Sequence, residues 1–135
     1  MKDNVTVLIV DEYDDVREAL AEQLDAAPGI RVLAHTSNPF LGAELAHELE
    51  PRVILADFKR RAAPRADLYQ WILQASPKSK LLVLTSYMGI EEEARCMQAG
   101  ASRILLKGIS AKRLAAEIKT LASVNGSHPG IAGAR

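Results

Sequence analysis

The sequence predicts an α/β fold, a five-stranded parallel sheet with helices on both faces. Two observations carry this. Apolar, β-branched runs and amphipathic helical patterns alternate strictly, five of each. The runs Val5-Thr6-Val7-Leu8-Ile9-Val10, Val53-Ile54-Leu55-Ala56 and Leu81-Leu82-Val83-Leu84 are also almost continuously apolar. That pattern marks strands covered on both faces, as in parallel sheets.

The first strand ends at Asp11-Glu12. A helix follows from Asp14, with Val16, Leu20 and Leu24 as its apolar stripe, and Pro28-Gly29 stops it. Ile30, Val32 and Ala34 alternate with Arg31, Leu33 and His35, which predicts a shorter second strand nearer an edge. Asn38 is a good N-cap and Pro39 a good first helical residue for a helix striped by Leu41, Leu45 and Leu49. Pro51 ends it, and the third strand runs into Asp57 and then Lys59-Arg60-Arg61. Pro64 precedes a third helix built on Leu68, Ile72 and Ala75, and Pro77 marks the next turn. The fourth strand ends at Thr85-Ser86. Glu91-Glu92-Glu93 then load the first turn of a helix whose apolar side is Ile90, Ala94 and Met97, and Gly100 caps it. Ile104-Leu105-Leu106 is the fifth strand and ends on Lys107. Ser110 caps a last helix carrying Leu114, Ile118 and Leu121. Residues 1–124 form one domain, and the Gly-, Pro- and Ser-containing stretch 125–135 reads as a linker or frayed tail.

The 135 residues suffice for one domain with a real core. A formal net charge of zero argues against a strongly basic nucleic-acid binder. The single cysteine, Cys96, excludes an internal disulfide and a multi-cysteine zinc site, and it fits a cytoplasmic setting. No apolar run approaches the roughly 20 residues that span a bilayer, so no membrane role is expected.

Five such units wind most naturally in the order 2-1-3-4-5, the flavodoxin-like arrangement, whose ligands bind beyond the strand carboxyl ends at the switch between strands 1 and 3. Asp11, Glu12, Asp57, Thr85 and Lys107 all stand at those ends. Three carboxylates repel one another unless a cation joins them, and a hard divalent ion such as Mg²⁺ is the natural partner. One carboxylate can then act as a nucleophile toward phosphorus, while a lysine holds a phosphoryl oxygen as a point charge.

In these motifs, an acidic pair after strand 1, Asp57 after strand 3, Thr85-Ser86 after strand 4 and Gly100-Ala101-Ser102-Arg103-Ile104-Leu105-Leu106-Lys107, the chain resembles the receiver domains of two-component response regulators. The fifth-strand region is most similar to the LuxR/NarL class. The resemblance implies Asp57 as phosphoacceptor and Asp11, Glu12 and Asp57 as the Mg²⁺ site. It also implies Thr85 as the switch hydroxyl and Lys107 as the phosphate contact. Its partners would be a sensor histidine kinase, a second copy of the chain through the last helices, and a C-terminal DNA-binding domain absent from this sequence. The module would regulate transcription and would not be an enzyme.

There are three departures from the pattern. Glu12 stands where the family usually has Asp. Arg60-Arg61 replace a common Met-Pro, and Ile104 replaces the usual switch aromatic. Arg60 or Arg61 could fold toward the acids and assume part of the metal's role, whereas a solvated basic loop is the plainer reading. These departures keep open an atypical receiver regulated without phosphorylation. A small metal-dependent phosphotransfer enzyme would use the same residues. A flavin site is disfavoured, because the acidic loop after strand 1 would repel a phosphate.

Overall fold

The computed structural model describes residues 4–60, 63–64 and 66–123, with side chains from 59 to 66 outside that description. The tail and the side chains of Arg60 and Arg61 therefore lie outside the described residues. Strand β1 (Val5–Asp11) leads to α1 (Asp14–Asp25), β2 (Ile30–Thr36), α2 (Pro39–Leu49) and β3 (Val53–Asp57). Then come β4 (Lys59–Arg60), β5 (Ala63–Pro64), α3 (Ala66–Ala75), β6 (Lys80–Thr85), α4 (Ile90–Gln98), β7 (Arg103–Leu106) and α5 (Ala111–Ala122). Five strands make one sheet in the order β2-β1-β3-β6-β7, all pairs parallel. This is the flavodoxin-like order expected for the five long strands. The short antiparallel pair β4–β5 was not expected from the basic, proline-containing loop.

Successive strand residues point to opposite faces, and two cores result. Val7, Ile9, Leu55, Leu82 and Leu84 pack with Leu24 of α1 and Leu114 and Ile118 of α5. Leu8, Val10, Ile54, Leu81 and Val83 pack on the other face with α2, α3 and α4. The continuous apolar runs thus serve a sheet covered on both sides. Asn38 caps α2 by accepting the Phe40 and Leu41 amides, and Ser110 caps α5 through the Arg113 amide.

Three helical faces differ from the expected stripes. In α1 the buried residues are Arg17, Ala21 and Leu24, while Val16 is exposed. Arg17 is tolerated inside because its guanidinium donates to the Asp11 carbonyl, the Asp14 carboxylate and His35 Nδ1. In α2 the sheet-facing residues are Gly42, Ala43 and Ala46, and Leu41 and Leu49 are exposed. The helix lies so close to β1 that a Cβ at Gly42 would stand 2.9 Å from Val10 Cγ2. Gly42→Ala is therefore expected to cost about 1–3 kcal/mol through overpacking, measurable by urea unfolding; a stability equal to the parent would refute the close approach. In α4 the core-facing residue is Cys96, whereas Ile90, Ala94 and Met97 are exposed. The small cysteine and Gly100, whose added Cβ would meet Leu73 Cδ1 at 2.7 Å, let this end of α4 lie close to α3. Burial pushes the Cys96 thiol up to about 11, so it serves as packing.

Candidate functional site

The parallel register sets Asp11 of β1 directly beside Asp57 of β3. Both are buried. Lys107 follows β7, two strands away from β3 across the sheet, and its amide donates to the Thr85 carbonyl at 2.8 Å. That bond fixes the start of the lysine side chain at the same sheet edge. Its ammonium then reaches Asp11 Oδ2 at 2.8 Å and Asp57 Oδ2 at 3.0 Å. One cation is shared by two carboxylates with almost no water access, since their side chains are 4% and 1% exposed. Burial pulls the Lys107 ammonium toward its neutral form. Hydrogen bonds to Asp11 and Asp57, with their charges, outweigh that and hold it above its ordinary 10.5.

Asp11 is oriented from its own loop, where Oδ1 accepts the Tyr13 amide at 2.9 Å. Thr85 lies at the end of β6, fully buried, and its hydroxyl donates to the Tyr87 carbonyl at 3.2 Å. Glu12 is exposed on the turn after β1. The structure therefore joins Asp11, Asp57 and Lys107, sets Thr85 at the adjoining edge and leaves Glu12 in solvent. Among the described residues no three carboxylate, histidine or cysteine groups converge at metal spacing. The donor chemistry still fits a hard divalent ion, with two carboxylates at adjoining strand ends and a third on the solvent-facing turn.

Two site neighbours lay outside the sequence expectations. The Tyr13 ring faces the Lys107 ammonium, with Nζ 4.9 Å from the ring centroid. Tyr69 of α3 is fully buried; its hydroxyl accepts the Phe58 amide at 2.8 Å, and its ring stacks on Phe58 with centroids 4.8 Å apart. It thereby ties the residue after Asp57 to α3. Burial holds the Tyr69 hydroxyl far above its usual value, so it stays protonated. The available signal was the spacing of Tyr69 and Ile72, which puts the tyrosine on the core face. Tyr69→Phe keeps the stack but strands a buried amide, with an expected loss of about 1–3 kcal/mol in urea unfolding; no loss would mean that the Phe58 amide finds another partner.

The family model for the response regulator receiver domain matches residues 7–119. The chain belongs to this family. Receivers are signalling modules, not a catalytic family, as the resemblance implied. Over 115 residues this receiver is 33% identical to the transcriptional regulatory protein LiaR of Bacillus subtilis, covering 85% of this chain and 54% of LiaR. It is 30% identical to the response regulator protein VraR of Staphylococcus aureus, covering 85% of this chain and 55% of VraR. The chain thus spans about half the length of these curated relatives. Its fold is similar to the signal receiver domain of NarL from Mycobacterium tuberculosis, with a TM-score of 0.81 at 18% identity over 91% of this chain and 99% of that one. A LuxR-family DNA-binding response regulator from Staphylococcus aureus gives 0.78 at 17%, covering 88% and 99%. Receivers of the NarL and LuxR classes are thus among the solved structures that share this fold. Among its described residues no helix is long and apolar enough to cross a membrane.

Proposed function

We propose that this receiver accepts a phosphoryl group on Asp57 from a sensor histidine kinase and passes the change to a transcriptional output. The observation that carries the proposal is the shared ammonium: Lys107 Nζ lies 3.0 Å from Asp57 Oδ2 and 2.8 Å from Asp11 Oδ2 at the switch point of the sheet. An Asp57 carboxylate oxygen attacks the phosphorus of the kinase phosphohistidine. The new O–P bond forms as the P–N bond breaks, and the imidazole leaves with the bonding pair. Lys107 is placed to hold a phosphoryl oxygen in exchange for carboxylate oxygen. Thr85 would give up its Tyr87 carbonyl and turn its hydroxyl inward.

The family typically uses Mg²⁺. Here Asp11 and Asp57 would hold it, with Glu12 from the turn, and the bound ion would offset charge between acceptor and donor. The output surface is the edge made by α4 and β7, where Tyr87, Ile90, Met97 and Leu106 are exposed. An apolar patch of this kind suits docking to a partner or a second copy. The name of LiaR, a transcriptional regulatory protein, supports a regulatory output of the transcriptional kind.

A second reading is favoured by the exposed Glu12 and by Ile104 in place of a switch aromatic: switching independent of phosphorylation. Beryllofluoride with Mg²⁺, which mimics an acyl phosphate, separates the two. Saturable spectral change supports the first reading, and none at any concentration supports the second. Phosphodonor labelling with and without Mg²⁺ then tests the metal, and label uptake unaffected by chelator would exclude it.

A further inference from the structure

We propose that Tyr13 is a positioning residue for the Asp57 site. It sets Lys107 through its ring and Asp11 through its backbone amide, and so carries the charge state of Asp57 to the start of α1. Both charged partners drawn together at Asp57 touch this one residue. Its ring centroid lies 4.9 Å from Lys107 Nζ, and its amide donates to Asp11 Oδ1 at 2.9 Å. The ring is 53% exposed and has no core role to explain its place. The Lys107 side chain is only 13% exposed, so the ring face stands in for water around a largely desolvated ammonium.

Tyr13 is also the N-cap of α1. Its carbonyl accepts the Arg17 amide at 2.9 Å, and the Arg17 guanidinium in turn donates to the Asp11 carbonyl at 3.0 Å. A closed loop of contacts therefore runs from Lys107 and Asp11 through Tyr13 to Arg17. A phosphoryl group on Asp57 that draws the ammonium toward itself must weaken the ring contact, and the first turn of α1 receives that change. This second half rests on the reading of Asp57 as acceptor. It gives the receiver a readout that does not need an aromatic at Ile104.

The test is a series at position 13 (Tyr13→Trp, Tyr13→Phe and Tyr13→Leu) in the whole chain. The first readout is the NMR chemical shift of the Lys107 ε-methylene in the unphosphorylated protein. The second is the apparent affinity for beryllofluoride with Mg²⁺. Tyr13→Leu is expected to erase the ring-current shift at Lys107 and weaken beryllofluoride roughly three- to tenfold. Tyr13→Phe should recover most of each, because it keeps the ring, and Tyr13→Trp should match or exceed it. A merely space-filling residue would not follow this aromatic order. A Lys107 signal indifferent to Tyr13→Leu overturns the proposal, whatever Asp57 does. A protein that binds no beryllofluoride with Tyr13 in place overturns the acceptor reading instead, and the Lys107 signal alone then decides the role of Tyr13. Shifts at Asp14–Arg17 on beryllofluoride binding, lost in Tyr13→Leu, support the route to α1; their persistence in that variant overturns it.

Discussion

Lys107→Met is expected to destabilise the receiver by about 3–5 kcal/mol at neutral pH, because it removes one partner from a buried ionic group. Methionine keeps the length and apolar stem of the lysine, so packing changes little. What is lost is the cation 2.8 Å from Asp11 and 3.0 Å from Asp57. Two adjacent buried carboxylates then face each other without it, and one of them is driven to take up a proton. Acidification should therefore narrow the gap between variant and parent. The alkaline limb carries the complementary sign. The Lys107 ammonium is held above 10.5 in the fold, so its stabilisation is complete below that value and fades as pH rises through the folded one. The parent should lose stability there and Lys107→Met should not. Urea unfolding across pH measures both limbs; equal stabilities at neutral pH would show that the ammonium is not shared as described. The same variant should be slow to take up a phosphoryl group at Asp57.

Asp57→Asn is expected to abolish phosphoryl uptake while leaving stability within about 1 kcal/mol of the parent or above it. The asymmetry with Lys107 follows from charge. Removing one of two carboxylates around a single ammonium leaves Lys107 and Asp11 as a balanced pair, with the repulsion between the acids gone. Asparagine preserves the shape and can accept the same ammonium through its amide oxygen. Labelling with a phosphodonor, paired with urea unfolding, reads both halves. A loss well beyond 1 kcal/mol would mean that the Asp57 charge stabilises the fold, and residual labelling would place an acceptor elsewhere.

The strand ends were easier to read in the sequence than the helix faces around them. A buried parallel strand is a period-free apolar run, so its end is marked by the first charged residue or hydroxyl pair after it. Asp11, Asp57, Thr85 and Lys107 were legible for that reason, and the alternation of units implied the sheet order that brings them to one edge. Which face a helix buries depends on how near it can come to the sheet. The leucine stripe of α2 pointed to Leu41, Leu45 and Leu49, but Gly42, Ala43 and Ala46 permit a closer approach and take the buried face. In α4 the Ile90, Ala94 and Met97 side, apolar in pattern, became an exposed surface. The buried roles of Arg17 and of the Tyr69 hydroxyl were not read, because a buried polar group is explained only by its partners. Those partners, His35 and the Phe58 amide, lie 18 and 11 residues away in the chain.

The central claim, that Asp57 is the residue phosphorylated, is tested most directly by trapping the product. After incubation with a phosphodonor and Mg²⁺, borohydride reduction converts an aspartyl phosphate to homoserine, and peptide mass spectrometry locates the change. Homoserine at Asp57, in a yield that falls when Lys107 is replaced by Met, is the predicted result. Homoserine at Asp11, the longer alcohol 5-hydroxynorvaline at Glu12, or neither anywhere in a chain that binds the donor, would contradict it.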